Sequence, residues 1–589
     1  MFALRAGLAL ALLIGACAAP AQTVDPVETQ RLRAAFETEW DALAQRYPEF
    51  ATFRGDSRYD DRWTDNSAPA RAERDRLERE WLATLRGFDR SKLSASDAVS
   101  LDMARERAES EVRMQAFEGW RTMRLGSLRG IQTVLPDVLR VNPNRSKAEV
   151  EKMLARIAAY PVLLDQEMAQ LRRGIALGWV ASKPVLQRAL AQIDALLQEP
   201  ETTAIFEPFK NLGPGVAPAE AQALRAQAAR QIAEQAQPAL RRLRDFVAGP
   251  YMAAAPAEGA YSGYPDGAKV YAALVREQTT TTMTPDEIHA LGLELVAVLR
   301  AQMEDVMRDS GFTGDFKAFL RYLNTDPKFF YASPEAMLAG YRDIAKRIDP
   351  ELPRLFAELP RLPYGVRAMP AYLGPGAAEN YTRGTADGKR AGWFNANTEA
   401  WKLRPRWTME TLVAHEAVPG HHLQTARALE LRDLPAFRRS AFYPAFGEGW
   451  ALYAETLGPE LGLYTDRYSL FGHLQAQIFR AARLVVDTGL HAMGWPRQRA
   501  IDYLAEQTGY DQEMVSAEVD RYLSNPGQAL TYMIGEQKIL SLRDKARQAL
   551  GARFDIRQFH MAVLDQGAVP LQVLERLVDD WIARQKVAQ

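Results

Sequence analysis

The chain has 589 residues, with 73 Lys+Arg against 74 Asp+Glu, 47% hydrophobic residues and a single Cys. A formal net charge of -1 lacks the clustered basic surplus of an electrostatic nucleic-acid binder, so no nucleic-acid partner is expected. The apolar fraction is too high for a disordered protein, and one Cys excludes an internal disulfide framework and any Cys-rich zinc module.

Residues 1–21 read as an export signal. Arg5 precedes an apolar stretch from Ala6 to Ala16, too short for a permanent membrane span, and small residues close it. Two exits are written there. Ile14-Gly15-Ala16-Cys17 resembles a bacterial lipoprotein box in which Cys17 would carry the lipid, while Ala19-Pro20-Ala21 fits ordinary cleavage before Gln22. Both lead out of the cytoplasm, to the periplasm or to a lipid-anchored place on the bacterial envelope. A lipid on Cys17 would be the membrane contact, since no later segment reaches the ~20 uninterrupted apolar residues of a spanning helix.

The body reads as helices. From Val27 to about Phe246, apolar residues recur three and four apart among Glu and Arg. Leu77, Trp81, Leu82, Leu85 and Phe88 form one stripe, and Met153, Leu154, Ile157 and Ala158 begin another; both are simplest as core. A passage rich in Gly, Pro, Ala and Tyr from Ala248 to Ala268 reads as a linker or a loop bordering a cleft. We therefore divide the chain into a signal (1–21), an N-terminal helical region (22–250) and a catalytic region (251–589). A Pro-rich passage from Pro350 to Pro375 precedes Ala391 to Asn397, the best strand candidate, and helical patterning resumes from Met409 to the end. The fold class expected is mainly α.

The histidines carry the chemistry. Six of the seven lie beyond residue 414, and three fall within the eight residues from His415 to His422. In H-E-x-x-H on a helix, two His four apart share one face and bind zinc while the Glu acts as general base. His415-Glu416 opens that pattern, but the position four residues on is Pro419, which cannot ligate. On an ideal helix His421 would lie roughly 240° around from His415, and His422 would return to the right face but about 10 Å along the axis. Pro419 breaks the ideal helix, because it lacks the N–H for the carbonyl of His415 and its ring clashes with that carbonyl. A two-residue bulge at Pro419-Gly420 would bring His421 into place, so His421 is favoured as second ligand with His422 as the alternative; His422 is otherwise a neighbour of the site or faces substrate.

A third protein ligand is needed, with a fourth position open to water. Glu448, in Phe446-Gly447-Glu448-Gly449-Trp450, is an acid amid apolar residues whose burial would be costly unless it were paired or metal-bound. Glu455, two turns along the same helix, lies on the same face and could hydrogen-bond a ligand His.

These residues resemble a known group. H-E-A-V-P-G-H-H-L-Q, G-E-G-W-A-L-Y-A-E, R-L-V-V-D-T-G-L-H-A-M-G-W and N-P-G-Q-A-L-T-Y-M-I-G look like the bacterial domain-of-unknown-function 885 family, related to the gluzincin metallopeptidases. More distantly, F-G-E-G-W is similar to the stretch carrying the third zinc ligand in angiotensin-converting enzyme. The resemblance implies a large, two-lobed helical protein with a deep central cleft and a small β-sheet near the active-site helix. It implies one zinc per chain on His415, His421 and Glu448, and Tyr532 as oxyanion donor. Leu452 stands where the angiotensin-converting enzyme group usually has an acid, so the partner of a ligand His must come from elsewhere, Glu455 or Asp487. Gluzincins use an edge strand to align peptide substrates, a role that would fall to Trp393 to Asn397, with Asn395 within it. Arg521 and Arg483 are candidates for a substrate carboxylate, and His491 and His473 are further histidine candidates.

The function expected is an exported zinc metallopeptidase of small peptides, with zinc-activated water attacking the peptide carbonyl and Glu416 as its base. A metal-dependent hydrolase of another amide or ester, acting on a small molecule, and a non-catalytic binding protein with a degenerate site are the alternatives.

Overall fold

Helices start where the sequence supplies their caps. The computed structural model describes residues 24–370 and 376–587, so the export signal and Cys17 lie outside the described residues. Helix α1 (Pro26–Arg46) opens with the Asp25 carboxylate accepting from the N–H groups of Val27 and Glu28, and Pro26 fills the first helical position. Ser67 and Ser94 cap α2 (Ala68–Arg86) and α3 (Ala95–Met114) in the same way. Reciprocal capping boxes, Ser146 with Glu149 and Thr284 with Glu287, begin α4 (Lys147–Leu177) and α5 (Pro285–Asp309).

The fold is mainly α with one small sheet, as the patterning requires. A minor core of Leu32, Phe36, Leu82, Leu85 and Phe88 joins α1, α2 and α3. The main core runs from Val99 to Ile582. In the second sequence stripe Met153, Leu154 and Ile157 are buried, whereas Ala158 is exposed and Arg156 lies inside instead. Its guanidinium donates to the carbonyl of Arg62 (2.9 Å), to Asn142 (2.8 Å) and to the Thr52 hydroxyl (2.8 Å), which is how an apolar interior accepts it. The Ala248–Ala268 passage is anchored by its aromatics: Tyr251, Tyr261 and Tyr264 are buried, and Tyr264 stacks 4.7 Å from Trp179.

Three short strands form a mixed sheet: β1 (Tyr364–Ala368), β2 (Asn380–Thr382) and β3 (Gly392–Ala396). The order is β1-β3-β2, with β3 parallel to β1 and antiparallel to β2. The strand read from the sequence is thus central, and both its edges are taken. Pairing with a substrate backbone would fall to β1 or β2, a correction the sequence could not supply because β2 carries too few residues for a period-two pattern.

Four helices frame the histidine segment. They are α6 (Met409–Glu416), α7 (His421–Glu430), α8 (Pro444–Glu455) and α9 (Arg467–His491). Helix α9 is buried on nearly every face, as expected of a central helix with apolar residues all round. Helix α8 crosses α10 (Thr531–Leu550) at two glycines. A Cβ on Gly449 would lie 2.4 Å from the Gly535 Cα, and one on Gly535 would lie 1.9 Å from the Ala445 carbonyl oxygen. That close crossing fixes Glu448 and Glu455 against the rest of the body.

Candidate metal centre

Helix α6 ends on the chemistry it carries. After Glu416 the backbone leaves helical space at Ala417 (φ -102°, ψ -107°), passes a cis Val418–Pro419 peptide, and restarts as α7 at His421. A Cβ at residue 420 would lie 1.9 Å from the His415 carbonyl oxygen, so glycine is required there. The chain thus makes two helices joined by a tight break, where the sequence reading had one helix with a bulge. The consequence for His421 is the same: its ring centroid lies 4.8 Å from that of His415, at 87° to it.

Glu448 completes the group. Its Oε2 lies 3.4 Å from His421 Nε2 and 3.6 Å from His415 Nε2, and one ligand atom from each of the three residues falls within 4.8 Å of the others. Tetrahedral zinc with bonds near 2.1 Å separates its ligand atoms by roughly 3.4 Å. Two imidazole nitrogens and a carboxylate oxygen at these spacings fit zinc by donor type and by distance.

Electrostatics favour a cation at this point. Burial opposes charge on His415, but the carboxylates of Glu448, at 3.6 Å, and Glu455, hydrogen-bonded at 2.8 Å, overcome it and push its pKa up to about 9. Burial likewise opposes charge on Glu448 and Glu455, yet the imidazoles hold both carboxyls well below the usual carboxylate range. Glu455 Oε1 lies 2.8 Å from His415 Nδ1, and its Oε2 accepts from the Thr411 hydroxyl at 2.5 Å. This partner fixes the imidazole so that Nε2 is presented to the cluster. Glu416 is buried beside the group, and burial raises its pKa against the lowering effect of His421 and His415.

His422 belongs elsewhere. Its Nε2–H donates to the Leu362 carbonyl (3.0 Å) and its Nδ1 accepts from the Tyr381 hydroxyl (2.9 Å). Burial, beyond what the Leu362 bond restores, lowers its pKa to about 4, so it is a neutral bracket between α7 and the sheet.

The remaining candidates divide. Tyr532, in the first turn of α10, has the Arg483 guanidinium 4.6 Å over its ring; burial and then the Glu448 charge raise its pKa, which sets it within electrostatic reach of the cluster. His473 stacks on Tyr464 and reaches Thr411 (3.4 Å), behind Glu455. Asp487 is not a partner of a ligand His. It accepts from the Tyr271 hydroxyl (2.7 Å) and the Gly527 N–H (3.0 Å), and burial pushes its pKa up to about 7. Asn395 bridges the three strands, accepting from Arg367 (2.7 Å) and donating to Thr382 (2.8 Å). Arg521 and Arg483 both bind Glu518. His491 is a core histidine between Tyr261 and Tyr522. Thr411 escaped the sequence reading, and so did Glu536, a buried acid on α10 whose pKa is pushed up to about 8 by burial and by Glu455. Neither sits at a motif position.

A helical body with a two-histidine, one-glutamate cluster defines the class. The chain belongs to the family described as "Bacterial protein of unknown function (DUF885)", which it matches over residues 48–578. It is similar to the solved structure of a candidate lipoprotein from Colwellia psychrerythraea, with 28% identity, a TM-score of 0.88, and coverage of 95% of this chain and 99% of that one. A candidate lipoprotein of unknown function from Shewanella oneidensis shares the fold at 16% identity and a TM-score of 0.69, over 93% of this chain and 99% of that one. No curated protein matches the chain.

Proposed function

We propose that this protein is an exported zinc-dependent peptidase of small peptides. The observation that carries the reading is the convergence of His415, His421 and Glu448 within 4.8 Å, with His415 anchored by Glu455 and Glu416 adjacent in the chain. Zinc held there would polarise a carbonyl and acidify a water. Glu416 takes the proton from the attacking water and passes it to the leaving amine; burial strengthens it as a base while the imidazoles keep it ionisable. Tyr532 donates a hydrogen bond to the oxygen on which charge develops. Export rests on the pattern of residues 1–21 and agrees with the lipoprotein description of the Colwellia protein. Among the described residues no helix is long and apolar enough to cross a membrane.

The test pairs metal content with cleavage of a peptide library read by mass spectrometry. We expect about one zinc per chain in the wild type and its loss in His415→Ala. In Glu416→Gln zinc is retained while cleavage falls by roughly 10²–10⁴-fold. A wild type that holds no zinc, or a Glu416→Gln variant that cleaves normally, defeats the reading.

A further inference from the structure

Helices α1, α2 and α3 share an apolar stripe, and a glutamate continues it on each. Leu32 and Phe36 carry the stripe on α1, Leu82 and Leu85 on α2, Ala104 and Ala108 on α3, all of them buried. Glu39 lies seven residues after Leu32, Glu78 seven before Leu85 and Glu111 seven after Ala104, so each falls on the inward face of its helix. An acid at a core position costs stability unless something compensates it, and such breaks in a helical pattern gather at functional sites.

The three acids face open space. Together with six aromatic rings, Trp40, Tyr47, Phe50 and Trp81 among them, they line a cavity of about 330 Å³. Small-molecule sites run from roughly 300 to 1,000 Å³ and are lined mostly by such rings. Phe437, on the connection between α7 and α8, also lines it, 4.8 Å from Phe36. Arg107 and Glu111 are half exposed, which sets them at the mouth.

The charges decide what fits. Arg46 is held by Glu39 at 2.5 Å and Arg107 stands 3.7 Å from Glu111, so each arginine of the lining has an acid. Glu78 is left over. It accepts from Gln115 Nε2 (3.0 Å) and from the Tyr47 hydroxyl (3.4 Å), and it has no ion-pair partner among the described residues. Burial and then the Glu78 charge push the Tyr47 hydroxyl up to about 12, and burial with Glu78 raises the Glu39 carboxyl against the pull of Arg46. Past the mouth the sign persists, since burial and then Glu111 and Glu106 push the Glu277 pKa up to about 7.

The rings suit a cation as well. The guanidinium of Arg54, outside the lining, rests 3.4 Å from the Phe50 centroid and 4.5 Å from that of Trp40. A bare metal ion is the wrong cation, because among the described residues only His415, His421 and Glu448 bring three ligand atoms within 4.8 Å of one another. An ammonium on an organic body meets both the lone carboxylate and the rings.

We propose that this cavity is a second ligand site, separate from the metal centre, which binds a small organic cation: a primary ammonium on an aromatic body, with Glu78 as its counter-ion and the rings around the body. The experiment titrates the full-length protein at pH 7 with 2-phenylethylammonium, its neutral counterpart 2-phenylethanol and the anion 3-phenylpropionate, read by calorimetry. We expect one ammonium per chain, bound at least roughly tenfold more tightly than the alcohol, the effect of a charge-assisted hydrogen bond together with the ring contacts. The carboxylate should bind more weakly than either. Glu78→Gln keeps the shape of the side chain and should bring the ammonium-to-alcohol ratio close to one without lowering the melting temperature. If it fails to fold, Glu78→Asp keeps the charge but draws it back, and should still shrink the ratio. His415→Ala should bind the ammonium as the wild type does.

Loss of ammonium binding in His415→Ala would put the ligand at the metal centre and overturn the second site. Equal binding of ammonium and alcohol, tighter binding of the carboxylate, no binding at all, or a preference that the Glu78 variants leave intact also overturns it. Glu78-dependent ammonium binding in a protein that neither holds zinc nor cleaves would defeat the peptidase reading and leave this site standing.

Discussion

His415 and His491 are equally hidden from water and titrate in opposite directions. The His491 Nδ1 accepts from the Tyr261 N–H and its Nε2–H donates to the Tyr522 carbonyl, both at 3.1 Å, and burial takes its pKa down to about 4. His560 repeats the pattern: its Nδ1–H donates to the Leu355 carbonyl (2.7 Å), its Nε2 accepts from the Tyr453 hydroxyl (2.8 Å), and its pKa falls to about 3. His415 meets two carboxylates instead and rises to about 9. Burial is shared, so the partner decides. Backbone and hydroxyl partners make a packing residue, whereas a carboxylate on each ring nitrogen makes a site that favours positive charge.

The sharpest way to break this comparison is to exchange adjacent histidines that fall on opposite sides of it. His421 lies 3.4 Å from Glu448, and His422 is satisfied by Leu362 and Tyr381. We expect His421→Ala to reduce bound zinc from about one per chain to near none, because two protein ligands do not hold a catalytic ion. His422→Ala should keep the metal and lose stability through its severed bracket. Equal zinc in the two variants, measured by elemental analysis after dialysis, would erase the distinction.

A smaller effect is expected one layer out. Glu455→Gln keeps the shape of the side chain that fixes His415 and removes its charge. Metal affinity should fall by roughly 10–100-fold, the usual consequence of losing such a partner, as read by competition with a chelator. An unchanged affinity would mean that Glu448 alone separates His415 from the core histidines.

The sequence pointed to the three residues that cluster and missed much of what positions them. His415 stood out because the chain has only seven histidines, Glu416 because it follows that histidine, and Glu448 because it is an acid set among apolar residues. His421 followed from the geometry of Pro419 and Gly420, although the joint proved to be a full helix break. Glu455 was legible through helical periodicity on the same face as Glu448. Asp487 looked equally suitable, but its partners Tyr271 and Gly527 are more than two hundred and forty residues apart in the chain, and only tertiary structure brings them together. Thr411 and Glu536 are ordinary residue types in ordinary contexts, and the sheet order that makes β3 central depends on β2, three residues long. Local pattern finds groups with unusual chemistry; it does not find the common residues that hold them.

The subtlest test reads the core side of the comparison through pH. In the folded protein the His491 pKa is pushed down from 6.5 to about 4 by burial. As pH falls through 6.5 the unfolded chain therefore takes up a proton that the folded chain refuses. The contribution of His491 to stability is complete above pH 6.5 and is lost progressively between 6.5 and 4. From pH 7 to pH 6 the loss is on the order of 1 kcal/mol. Asp487, one turn earlier on α9, acts in the opposite sense, since its folded pKa is raised to about 7 and acidification favours the folded form. Comparing the wild type with His491→Gln cancels that shared term. The glutamine can keep one of the two hydrogen bonds and has no proton to refuse. It should melt lower at pH 7 but show a smaller drop in melting temperature between pH 7 and pH 5 than the wild type. An equal drop would mean that the folded protein already accepts a proton at residue 491, and that its carbonyl and amide partners do not set it apart from His415.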